Sequence, residues 1–316
     1  MPHSAYRITV FIILVLLSFS SIQAATHFDN DGKADLGVYR VSNRTWYNFL
    51  SSSGEMTAVQ FGLETDVLTP GDYDGDGITD IAVWRPSNGF WYVLRSSSNQ
   101  LFMIQWGTTI HHQFGSIADI PVPADYDGDG HDDLAVYRPD YGSWYVLESS
   151  QEFDPAYAQI SQFGKLGDVP VPADYDGDGK ADIAVYRTPE ARWYIWESKN
   201  GNLRSTRFGQ SGYDLLVPAD YTGDGKADVA VFRSGVWIIE RSEDHTPEVF
   251  YFGTAGDTPV PADYDGDGRT DPAVFRNGTW YVSESSSSGA KAANFGSAGD
   301  LAVGAAYVRE SIVAVP

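Results

Sequence analysis

The chain has 316 residues, no cysteine, and 43 acidic against 21 basic side chains, for a formal net charge of −22. This composition excludes a disulfide framework. With no basic stripe to neutralise phosphates, it also disfavours nucleic acid as a partner. The length is enough for a substantial core, so stability must come from packing, from bound cations, or from both.

At the N-terminus Arg7 precedes an apolar run over residues 8–19, followed by Ser20-Ser21-Ile22-Gln23-Ala24-Ala25. That is the pattern of a secretory signal, and the run is too short to span a bilayer. Residues 1–25 are expected to be a signal peptide and 26–316 a single exported domain, periplasmic or extracellular. No second apolar run and no lipid-attachment cysteine follow, so neither a membrane span nor an anchor is expected.

Six acidic nonapeptides then recur, starting at positions 27, 72, 125, 174, 220 and 263. The first is clipped: His27 opens it, and Asp29, Asp31 and Asp35 follow at its third, fifth and ninth places. The second carries Asp72, Asp74, Asp76 and Asp80; the third Asp125, Asp127, Asp129 and Asp133; the fourth Asp174, Asp176, Asp178 and Asp182. The fifth has Asp220, Asp224 and Asp228, with Thr222 at its third place, and the sixth has Asp263, Asp265, Asp267 and Asp271. Carboxylates at places 1, 3, 5 and 9 with glycine at 6 make the oxygen-rich spacing that a hard divalent cation requires. Up to six Ca²⁺ ions are therefore expected, one per loop, with a backbone carbonyl from place 7. The His27 and Thr222 loops should be the weaker sites, and Glu310 from the C-terminal tail is placed near the first of them. Places 1, 3, 5 and 9 of these loops hold 22 of the 43 acidic residues, so much of the negative charge is local metal chemistry. An EF-hand is rejected, because Val83 and Val185 stand where its twelfth-place Glu belongs and no helices flank the loops.

Between the loops run four β-patterned stretches per copy, in the fourth copy Ile183 to Arg187, Trp193 to Glu197, Leu203 to Phe208 and Leu215 to Asp220. Both faces of Ile183-Ala184-Val185-Tyr186 are apolar, as suits a sheet packed between two others. The period predicts an all-β propeller of six four-stranded blades. The run 301–307 supplies the strand missing at the N-terminal end and so closes the ring; seven blades is the alternative. The third stretch usually ends in Phe-Gly, and the second copy carries an irregular insertion with His111-His112.

The Phe-Gly pair, the Asp-x-Asp-x-Asp-Gly-x-x-Asp loop and the following Ala-Val-aromatic run resemble the FG-GAP/VCBS repeat family, which includes integrin α propellers and certain fungal lectins. The resemblance covers residues 27–307 and implies a Ca²⁺-stabilised propeller with the metal between the first two strands of each blade. Integrin-type recognition is not implied, because Tyr-Arg, Trp-Arg or Phe-Arg follows the loop strand here.

Two repeated residue sets leave alternatives open. Trp46, Trp91, Trp144, Trp193, Trp237 and Trp280 are either sugar-stacking platforms or wedge fillers between blades. Arg40, Arg85, Arg138, Arg187, Arg233 and Arg276 either face a ligand, or stack on the neighbouring Trp, or pair with Glu148, Glu197, Glu240 or Glu284. No cysteine nucleophile and no Gly-x-Ser-x-Gly elbow is present. The chain is read as a monomeric, non-catalytic recognition or adhesion module for a glycan or a cell-surface partner. A polysaccharide lyase or hydrolase, or an inert structural repeat, is the alternative.

Overall fold

The computed structural model describes residues 26–108, 119–210, 212, 214–287 and 289–304. They form six four-stranded antiparallel sheets arranged as the blades of a propeller. The second blade runs Val67–Leu68, Ile81–Arg85, Phe90–Leu94 and Leu101–Gln105; the third Ile120–Pro121, Leu134–Arg138, Ser143–Leu147 and Gln159–Gln162. The fourth is Asp168–Pro170, Ile183–Arg187, Arg192–Trp196 and Leu203–Arg207; the fifth Leu215–Leu216, Val229–Arg233, Val236–Glu240 and Pro247–Tyr251. The sixth is Thr258–Pro259, Ala273–Arg276, Thr279–Ser283 and Ala290–Asn294.

The first blade joins the two ends of the chain. Its second, third and fourth strands are Leu36–Arg40, Thr45–Phe49 and Met56–Gln60, and its first strand is Leu301–Ala302. Val38 faces Ala302 and Tyr39 faces Leu301, while the Val303 N–H donates to the Gly37 carbonyl at 2.8 Å. The closure is as expected and gives six blades, not seven. Tyr307, Glu310, the tail after it, His111-His112 and residues 1–25 lie outside the described residues.

The core lies between blades because both faces of each sheet are covered. In the fourth blade Tyr186 stands opposite Trp193 and Ala184 opposite Ile195. These four pack in one cluster with Val229 and Val231 of the fifth blade. The six repeated tryptophans are 0–1% exposed, which settles their role as wedge fillers and removes them as sugar platforms. Each indole N–H donates to the carbonyl that precedes the turn glycine, on Phe61, Trp106, Phe163, Phe208, Phe252 or Phe295. That bond satisfies the one polar atom the ring would otherwise bury unpaired.

The repeated arginines differ from expectation. Strand alternation puts each on the face away from the tryptophan, so the guanidinium lies over the adjacent tyrosine: Tyr47, Tyr92, Tyr145, Tyr194 or Tyr281, at 4.1–4.8 Å. The fifth blade has Ile238 there. The acid partners are not the glutamates, which lie at or one residue past the end of the third strand, at the far end of the hairpin, as Glu240 opposite Val229 shows. They are the buried Asp300, Asp66, Asp119, Asp168, Asp214 and Asp257, each holding its arginine through two nitrogens. Each aspartate also accepts an N–H from the bend before it, as Asp66 does from Leu63 at 2.9 Å.

Candidate metal centre

Each acidic loop leads into the second strand of its blade, joining it to the first strand in blades two to six, and the second loop shows how one is built. Asp72 folds the loop around its own carboxylate, accepting from Gly75 N–H at 2.7 Å and Gly77 N–H at 2.8 Å. Gly77, at place 6, sits at φ +81, a left-handed conformation in which an L side chain would be strained. Asp80, wholly buried, accepts from Tyr73 N–H through Oδ2 and from Ser96 N–H through Oδ1. Asp76 accepts from Ile78 N–H and from the Ser96 hydroxyl. Asp74 accepts from the Ser97 hydroxyl through Oδ2, while its Oδ1 is buried with no hydrogen-bond partner.

The same clip recurs around the ring. A serine after the third strand donates its N–H to the place-9 carboxylate and its hydroxyl to place 5: Ser51, Ser149, Ser198, Ser242 and Ser285 repeat what Ser96 does. A second serine, Ser52, Ser97, Ser150 or Ser286, holds the place-3 carboxylate. Sequence reasoning missed these serines and the six arginine-bound aspartates. Both were visible as repeats: Ser-Ser after the third strand in four copies, and an Asp five residues after the Phe of Phe-Gly in five.

The structure brings places 1, 3 and 9 together in four loops. Asp72, Asp74 and Asp80; Asp125, Asp127 and Asp133; Asp174, Asp176 and Asp182; and Asp263, Asp265 and Asp271 each present carboxylate oxygens within 4.8 Å of one another. The place-5 residues Asp76, Asp129, Asp178 and Asp267 do not join these groups and are held by the serines. The remaining loops are the two foreseen as weak. Asp29 and Asp35 have His27 where a third carboxylate would stand, and Asp220 and Asp228 have Thr222 between them, whose hydroxyl lies 3.4 Å from Asp220 Oδ1. Asp31 and Asp224 are clipped by Ser51 and Ser242.

Electrostatics matches this geometry. Burial pushes the Asp80 carboxyl up to about 7, Asp133 up to about 8, and Asp182 and Asp271 up to about 6, against the N–H groups that pull them down. Burial likewise raises Asp35, Asp72, Asp125 and Asp228. Three anionic groups held together away from water are unfavourable until an opposite charge lies among them. The buried, partnerless Oδ1 atoms of Asp29, Asp74 and Asp176 are lone pairs in want of a cation. An all-carboxylate donor set with no nitrogen or sulfur suits a hard ion such as Ca²⁺ rather than zinc.

The loops are also joined to one another. The N–H at place 8 donates to the place-1 carbonyl of the preceding loop in all six cases: Thr79 to His27, Asp132 to Asp72, Ala181 to Asp125, Ala227 to Asp174, Thr270 to Asp220, and Ala34 to Asp263, at 2.6–2.7 Å. The place-7 side chain follows the same direction. A Cβ on Gly75 would lie 1.9 Å from His131, and one on Gly128 would lie 3.0 Å from the Lys180 stem, so glycine at place 4 makes room for the neighbouring blade.

The FG-GAP-like repeat family matches residues 72–136, 125–185 and 174–231, which together span half of the chain. No curated protein sequence matches it. Among solved structures, an Agrocybe aegerita lectin that recognises non-reducing terminal N-acetylglucosamine is 15% identical, covering 84% of this chain and 91% of the lectin, with a TM-score of 0.53. BBS1N, solved in complex with ARL6DN, is 13% identical over 84% of this chain and 79% of its own, with a TM-score of 0.51. A streptogramin B lyase is 7% identical over 83% of each chain, with a TM-score of 0.50. At these identities the likeness is one of fold.

Proposed function

The chain belongs to the FG-GAP-like repeat family, and from that premise we propose that it is a calcium-binding β-propeller that acts by recognition. Its partner is a glycan or a cell-surface protein held on a rigid frame, and it acts after export directed by residues 1–25. The observation that carries the cation part is the partnerless buried Oδ1 of Asp74 and Asp176, each inside a carboxylate triad. Ca²⁺ would be held by places 1, 3 and 9, where it supplies positive charge that fixes the loop; the serine clips and the place-8 hydrogen bonds pass that rigidity to the blade edges. Recognition is supported by the fold shared with a lectin and with a protein solved on its partner.

The test is a pull-down on insoluble polysaccharides and intact cell surfaces, in millimolar Ca²⁺ and in excess chelator. Retention that chelation abolishes is the expected result. Depletion of a polysaccharide at catalytic ratios would replace recognition by catalysis, and absence of any retention would leave the frame as a structural repeat.

A further inference from the structure

The sixfold repeat lets the gaps between blades be compared with one another, and the gap between the third and fourth blades holds an open cleft. In the second, fourth and fifth blades a large side chain of the outer strand reaches into the wedge, whereas the sixth has only Ala293 and Lys291 at those places. Phe102 of the second blade packs on Phe153 at 5.4 Å, Arg204 of the fourth reaches Glu240, and Phe250 of the fifth stacks on Trp237 at 6.0 Å. The equivalent residues of the third blade, opposite Val146 and Trp144, are Gln159 and Ser161. They are short or polar, and they leave an open cleft of about 370 Å³.

A second irregularity belongs to the same blade. Six residues link the third and fourth strands in five blades, but eleven do so in the third, where they form turns at Ser149–Gln151 and Pro155–Tyr157. Phe153 from this insertion is buried toward the second blade, away from the cleft.

The facing wall has its own departure. The residue that ends the third strand is Phe49, Leu94, Leu147, Glu240 or Ser283 in the other blades, all buried or half-buried. In the fourth it is Trp196, 40% exposed, with Phe163 against it at 5.8 Å. Val146 and Ile183 floor the cleft, and Glu148, Glu197 and Gln159 stand at its rim. An exposed indole beside two carboxylates and a carboxamide is amphipathic in the way a pyranose is: an apolar C–H face on the ring, hydroxyl donors toward the carboxylates.

We propose that this cleft between the third and fourth blades is a single sugar-binding site, with Trp196 as the stacking surface and Glu148, Glu197 and Gln159 as the hydrogen-bonding rim. The site deepens the recognition reading above and rests on it. It also depends on the loops, because Ala181, whose N–H binds the Asp125 carbonyl, and Ser198, which clips Asp178 and Asp182, both line the cleft.

The experiment screens the full chain in Ca²⁺ against an array of defined mono- and oligosaccharides, then titrates the best sugar by calorimetry. The expected result is one site per chain, with binding about tenfold weaker in Trp196→Ala, the loss of one stacked face. Ser161→Phe, which places here the ring that Phe250 supplies opposite Trp237 in the fifth blade, should bind no sugar while melting like the parent. A sugar held equally by the parent and both variants would overturn the cleft and leave glycan recognition standing. Six equivalent sites per chain would overturn it as well. A blank array for the Ca²⁺-loaded parent would overturn both, and binding of a peptide displaced by no sugar would do the same.

Discussion

Arg85 lies over the Tyr92 ring at 4.1 Å and grips Asp66 through two hydrogen bonds of 2.8 Å, with the Asp66 side chain shut off from water. Removing the cation alone leaves a buried carboxylate without its partner. Arg85→Ala should therefore cost about 3 kcal/mol in urea unfolding, and Arg233→Ala less, because Arg233 is more exposed and has Ile238 where a tyrosine stands elsewhere. A change below about 1 kcal/mol for Arg85→Ala would contradict this account of the pair. The sequence showed these arginines as a repeat but not their partners. The aspartates sit in bends where an isolated Asp reads as a turn former, and only the fold brings Asp66 back beside a residue 19 positions later.

At the scale of the loop, the acidic spacing was legible because every ligand place lies within nine consecutive residues. The division of labour among them was not. Place 5 is claimed by a serine from the next hairpin, as Ser96 binds Asp76 across 20 positions, and no local pattern reports that bond. The fifth loop tests the resulting rule. It has lost the place-3 carboxylate, since Thr222 stands there, and where four loops have a second serine it has Glu243, which pairs with Arg241. Restoring both, as Thr222→Asp with Glu243→Ser, should add one tight Ca²⁺ site to the four proposed at the triads, counted by calorimetric titration. An unchanged stoichiometry would show that places 1, 3 and 9 with their clip do not suffice.

At the scale of the molecule, two closed circuits hold the ring together: the strand Leu301–Ala302 seated on the first blade, and the six place-8 hydrogen bonds ending with Ala34 on Asp263. The first circuit could be read from the chain ends; the second could not, since it is made by backbone atoms that every residue carries. A chain truncated after Asp300 would uncover the edge of Leu36–Arg40 and lose the buried Ala302 and Val303. It should aggregate or unfold well below the parent, and a truncated chain that stays monomeric with the parent's melting temperature would contradict closure by this strand. The central claim is that cations complete the loops and that the loops carry the ring. The direct measurement is the melting temperature of the full chain in millimolar Ca²⁺ and in excess chelator. Four sites that bind only the folded state, each near a hundredfold above its Kd, add about 10 kcal/mol, so the account predicts a rise of at least about 10 °C with Ca²⁺. Equal melting temperatures in the two buffers would contradict it.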